Sequence, residues 1–161
     1  AMHRIVGSFI LSIALLFAQD IAAQNKTAAA KPKKVFMPQA YLGKSDYKGG
    51  PIKKDVLASL LKQGITTRDS VGNYYKVVGF EFVYGERMLY EDSVGNLMVD
   101  IDYLSEYCTG DTLSTGISNS IYDRLKVGDS AFFNKIDVLR TVPGKPAMVV
   151  SGMGMKFYIT K

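Results

Sequence analysis

Histidine is all but missing from this chain of 161 residues, which contains one, His3. That residue lies in an N-terminal stretch laid out like a secretory signal peptide, so the mature domain is expected to hold none. A Ser-His-Asp triad, a Cys-His pair and any His-containing zinc site are thereby excluded from it. Cysteine is equally scarce. Cys108 has no partner in the chain, cannot staple the fold, and reads as a small buried hydrophobe. A long apolar run is lacking too: the stretch from Ile5 to Phe17 is short against the ~20 residues a spanning helix needs.

What is present at the N-terminus is Arg4, that apolar stretch, and a small-residue end at Ala22-Ala23. The expected division is a signal peptide over 1–23, cleaved after Ala23, then a flexible basic leader over 24–34 ("QNKTAAAKPKK") and one domain over 35–161. Export to the periplasm or beyond follows, with membrane contact only through the N-terminal segment if it is retained. The net charge of +5 is unevenly placed. From Gln24 to Lys62, nine lysines face two aspartates, leaving +7; from Gln63 to Lys161, ten basic and twelve acidic residues leave −2. Basicity belongs to the leader and the first helix, whereas a nucleic-acid partner needs a basic face on the folded body. No nucleic-acid partner is expected.

The periodicities predict a mainly β chain with two short helices, a β-sandwich-like antiparallel sheet domain. Ile52, Val56, Leu57, Leu60 and Leu61 recur at helical spacing, with Pro51 suited to a first helical turn and Gly64 to the stop. A second helix is expected in "LSTGISNSIYDRLKVGD", capped by Ser114 or Ser118 and ended by Gly128. In "YYKVVGFEFVYG", Val78, Phe80, Phe82 and Tyr84 fall on one side, and the aromatic set is expected to pack inward. In "LMVDIDYLSEY", Met98, Asp100 and Asp102 share a face expected to be wet, opposite Leu97, Val99, Ile101 and Tyr103.

"DSVGN" occurs twice, at Asp69 to Asn73 and Asp92 to Asn96. A calcium loop needs oxygen ligands at alternate positions over twelve residues and a closing Glu, which neither copy offers. As a turn each fits: Asp or Ser opens it, Gly or Asn accepts positive φ, and strand-like runs flank it. "GDS" at Gly128 to Ser130 reads as a helix stop and strand start. "GMG" at Gly152 to Gly154 has no phosphate-loop context and marks a bulge or close backbone approach in the last strand. Asp100 with Asp102, and Glu81 with Glu86 and Glu91, are carboxylates that invite an acid-base reading, and exposed strand acids are the commoner outcome. No cofactor or metal motif is present. Among the aromatics, Tyr41, Tyr47, Tyr74, Tyr75, Tyr103 and Tyr107 lie near expected turns or on polar-facing positions and are the candidate partner-binding residues.

Several stretches in order carry a resemblance. These are "P-x-A-x-x-G" at Pro38 to Gly43, "GGPIKKDVLASLLKQGI" at Gly50 to Ile65, "YYKVVGFEFVY" at Tyr74 to Tyr84 and "ISNSIYDRLKVGDSAFFNKIDV" at Ile117 to Val138. Val35 to Lys161 resembles the C-terminal domain of GldM, a periplasmic component of the gliding-motility and type IX secretion machinery. The resemblance implies a non-enzymatic role, binding proteins of the cell envelope or secretion machinery. This chain differs from the full-length family in placing the terminal domain directly behind a signal peptide, so a free-standing exported interaction module is expected. The alternative is a carbohydrate- or surface-binding module using exposed Tyr.

Overall fold

The computed structural model describes residues 35–161, and the signal peptide and leader expected over residues 1–34 lie outside that range. In chain order the elements are β1 (Gln39–Leu42), β2 (Gly50–Lys53), α1 (Lys54–Leu61), β3 (Ile65–Arg68), β4 (Tyr74–Glu91), β5 (Leu97–Thr109), α2 (Thr115–Arg124), β6 (Ser130–Arg140), β7 (Met148–Ser151) and β8 (Met155–Thr160). The domain is mainly β with two short helices, as the periodicities predict. Among the described residues no helix is long and apolar enough to cross a membrane.

The strands form one curled sheet in the order β1-β3-β4-β6-β8-β2, with β5 also paired to β4 and β7 to β6. All of these pairs are antiparallel except β2 with β8, so the sheet is mixed. That exception joins Gly50 to Phe157 and Ile52 to Ile159 across most of the domain's sequence, a pairing that no local pattern encodes. α1 follows β2 directly and packs against both β2 and β8.

Pro51 is one element earlier than expected: it lies in β2, and the helix starts at Lys54. β2 ends the sheet's path, paired only with β8, and an edge strand tolerates a residue without an N–H. Ile52 is accordingly buried from a strand, while Leu57 and Leu61 are the fully buried positions of the helix. α2 begins as expected, with Ser114 as its cap: Ser114 Oγ accepts from the Ile117 N–H at 3.3 Å, and Ser118 lies inside the helix.

The core gathers Phe80 and Phe82 of β4, Phe133 of β6 and Phe157 of β8, whose rings meet at centroid distances of 5.1 to 6.1 Å. Leu57, Leu61, Ile117 and Ile121 from the two helices complete it. Each such side chain contributes roughly 1.5–3 kcal/mol by leaving water. Val78 departs from the side that strict alternation has it share with Phe80, Phe82 and Tyr84. The partners change from Val77 with Val138 to Gly79 with Asp137, so Val78 is an extra residue on β4, and it is exposed while Val77 is buried. A bulge shifts the phase by one residue, which is why the alternation read from Tyr84 backwards fails there. A second irregularity answers it on β6, where Gly79 pairs with Asp137 but Glu81 with Asn134, and Lys135 takes φ 46. The expected close approach at Gly152 to Gly154 is present: a Cβ at Gly154 would lie 2.8 Å from the Phe133 carbonyl oxygen.

Candidate functional site

Both "DSVGN" copies are hairpin turns, the first joining β3 to β4 and the second β4 to β5. Their bonding is the same atom for atom. In the first, Asp69 Oδ1 accepts from the N–H groups of Val71 and Asn73 at 2.9 Å each, and Oδ2 accepts from the Asn73 amide at 3.0 Å. In the second, Asp92 Oδ1 accepts from Val94 and Asn96 at 3.0 and 2.8 Å, and Oδ2 from the Asn96 amide at 3.0 Å. Gly72 and Gly95 hold φ of 95° and 88°, the left-handed conformation glycine supplies. These donors hold both carboxylates below the usual range, the Asn73 amide leading for Asp69 and the Asn96 backbone N–H for Asp92. The copies differ in one contact: Tyr75 donates its hydroxyl to Asp69 Oδ2 at 2.8 Å.

The hairpin closed by the second copy reaches beyond the sheet. β4 leaves β6 at Gly85, whose partner there is Ser130, and from Glu86 to Glu91 it pairs with β5 alone. The result is a two-stranded ribbon. Leu97 is 76% exposed, Leu89 64% and Val99 51%, and Met88, Tyr90, Met98 and Ile101 are exposed as well. The strand period places Leu97, Val99, Ile101, Tyr103, Ser105 and Tyr107 on one face of β5, and Met98, Asp100, Asp102, Leu104, Glu106 and Cys108 on the other. The second face becomes the core face towards the domain, where Cys108 is buried. Burial raises the pKa of its thiol.

Two glycines of β4 let the tyrosines of β5 lie flat. A Cβ at Gly85 would lie 3.1 Å from the Tyr103 ring, and one at Gly79 would lie 2.4 Å from the Tyr107 hydroxyl. Tyr107 therefore crosses β4 and donates to Asp137 Oδ2 of β6 at 2.7 Å, a bond that raises its own pKa. The exposed stripe is thus a surface laid over strand glycines, which mark close approach.

The ribbon is anchored at its root by two carboxylates, Asp129 and Glu86, whose structural role no local pattern signals. Asp129, almost fully buried, accepts from the Tyr84 hydroxyl and, through Oδ1, from the Arg87 N–H at 2.8 Å. Its Oδ2 also accepts from the Lys126 N–H at 3.2 Å. Burial, then this carboxylate, push the Tyr84 hydroxyl far above the usual phenol range. Beside it, Glu86 pairs with Arg124 at 2.7 Å and Lys126 at 2.8 Å, and the Lys126 bond leads in holding its carboxyl low. The strand start expected at Ser130 is observed, while the helix ends at Arg124 with Leu125 as its C-cap, before the stop expected at Gly128; the load on Asp129 was signalled only by an acid in the turn between helix and strand. An open depression of about 430 Å³ at this root is lined by Arg87, Met88, Leu89, Lys126 and Val127.

The six candidate tyrosines do not form one site. Tyr103 and Tyr107 lie on the outer face of β5, both exposed. Tyr41 is on β1, stacked beneath the Arg68 guanidinium at 3.9 Å, and Tyr47 lies in the loop that follows, its carbonyl accepting from the Leu42 N–H. Tyr74, 69% exposed, opens β4 opposite Arg68. Tyr74 is eleven positions along β4 from Gly85, the partner of Tyr103, which is roughly 35 Å of strand. Tyr75 is a structural residue: half-buried, it packs edge-on against Phe36 at 5.1 Å and bonds Asp69. Asp100 and Asp102 are exposed on the ribbon, as expected, and neither lines the depression. Glu81 pairs with Lys135 at 3.0 Å. Among the described residues no group of three metal-ligating side chains converges.

Comparison with family models finds no match for this chain, and comparison with curated proteins finds none.

Proposed function

We propose that this protein is an exported, non-enzymatic protein-interaction module resembling the C-terminal domain of GldM, which binds proteins of the cell envelope or secretion machinery. The observation that supports the reading is the stripe from Leu97 to Tyr107. It is apolar and aromatic, exposed along the length of β5, and held on a strand with one neighbour among the described residues. Contiguous apolar surface of this kind marks an interaction site, whereas single exposed hydrophobics are ordinary. Tyrosines at its centre suit an interface, since each supplies large contact area at low entropic cost.

The test is a photo-crosslinking side chain placed at Ile101, with Thr112 as a control position, in cells producing the chain at native level. The expected outcome is transfer to an envelope protein from Ile101 and not from Thr112. Absence of protein adducts from both positions would overturn the reading.

A further inference from the structure

We infer that the free edge of β5 receives one additional strand, supplied by a partner segment in which basic residues alternate with apolar ones. The inference rests on the module reading above and adds the partner's chemistry.

The direction of the backbone comes first. β5 pairs with β4 from Thr109 to Leu97 without a register shift, and the Gly110 N–H donates to the Val78 carbonyl at 2.6 Å. Alternate residues of an antiparallel ladder bond to the same neighbour. The even-numbered residues of β5 therefore bond to β4, and Val99, Ile101, Tyr103, Ser105 and Tyr107 aim N–H and C=O at the other edge. Among the described residues no strand lies there. Ile101 carries the mark of that vacancy: its N–H donates at 2.8 Å to Oδ1 of Asp100, the residue before it. A donor satisfied by its neighbour's carboxylate has no ladder partner.

The chemistry of the incoming strand follows from the two faces of β5. A strand added to the edge sets its side chains beside those of β5, face for face. One face offers Leu97, Val99, Ile101, Tyr103 and Tyr107; the other offers Asp100, Asp102 and Glu106, all exposed. The complementary strand is apolar on the first face and carries Lys or Arg on the second. A second copy of this chain fits poorly. In two β5 strands paired about a two-fold axis, centring on Asp100 or Asp102 opposes each to itself, and centring on Tyr103 opposes Asp100 to Glu106. Like charges directly opposite one another are destabilising.

The test uses the full chain and a ten-residue peptide alternating Lys with Val, against one alternating Glu with Val. Amide exchange is followed at β5. The Lys-Val peptide is expected to bind and to protect the amides of Val99, Tyr103 and Ser105, while the Glu-Val peptide does neither. The double change Asp100→Lys with Asp102→Lys is expected to weaken binding about ten-fold, since two opposite-charge cross-strand pairs become like-charge ones. Ser105→Pro removes an outward N–H and no bond to β4, so it is expected to abolish binding at an unchanged melting temperature. If that variant melts early, the charge reversal decides. Equal binding of the two peptides, or no protection of β5 by either, overturns the inference. So does a dimer in sedimentation that the Lys-Val peptide does not compete with and the charge reversal strengthens. Adducts from Ile101 with envelope protein, together with unprotected β5 amides, would leave the module reading standing and remove strand addition alone.

Discussion

Along one hairpin, β4 and β5 pass from the core into open solvent. Between Phe80 and Tyr84 the inward side chains of β4 are buried in the core, and β6 pairs along one edge of the strand. Four residues later Met88, on the same face, is 41% exposed, although the pairing with β5 continues in the same register. The difference is the loss of β6 as a neighbour at Gly85. A strand with partners on both sides and helices over one face has somewhere to bury apolar groups; a two-stranded ribbon does not. The sequence keeps alternating, and only the surroundings change.

The sharpest way to break that contrast is a pair of truncations. Phe82→Ala is expected to cost about 3–5 kcal/mol, since Phe82 is fully buried against Phe133, and Leu89→Ala to stay within about 0.5 kcal/mol. Urea midpoints of the two variants measure this, and equal losses would show that the ribbon belongs to the core. Next comes the root. Asp129→Ala strands the Arg87 and Lys126 N–H groups and frees the Tyr84 hydroxyl, an expected loss of about 2–4 kcal/mol. Calorimetry gives the size, and a loss below that of an ordinary surface change would remove Asp129 as the anchor.

The two identical turns sharpen the comparison further. Valine at Gly72 or Gly95 must adopt a left-handed φ, at a cost of about 1–2 kcal/mol. Gly72→Val is expected to lower the unfolding midpoint, because its turn sets β3 against β4. Gly95→Val is expected to leave the midpoint in place and speed amide exchange only between Met88 and Val99, where opening is local. The smallest effect is electrostatic. Both turn aspartates have pKa values lowered below the ordinary 3.8, so the stability they supply is present above that pH and is lost as pH falls through their folded values. With Tyr75 as an extra donor, Asp69 is expected to keep its charge to lower pH than Asp92. Carbon-detected titration of the two carboxyls checks the order, and Tyr75→Phe should bring them together. Added calcium should shift neither.

What the sequence made legible is what short segments decide. The twin turns and the Ser114 cap each depend on residues within a few positions. Pro51 was misplaced because its tolerance depends on β2 being an edge, which is set by a partner about a hundred residues away. Val78 was misassigned because a bulge resets the alternation, and nothing in "KVVGF" shows which valine is the extra one. The exposed stripe on β5 was half visible: Tyr103 and Tyr107 were singled out, but Leu97, Val99 and Ile101 looked like the dry side of a covered strand. Tyr75 looked like a surface aromatic, while its role comes from Phe36 and Asp69, neither of which a strand pattern brings to it.

Cys108 sits in the buried seam between β4 and β5, opposite Phe80 and 1% exposed. Because the chain has one cysteine, every thiol adduct on this protein reports that seam. Burial keeps the sulfur protonated, so a maleimide or an oxidant acts only after the strands part. The domain carries its own clock for breathing, readable by mass alone, and any ligand that clamps β5 against β4 will slow it.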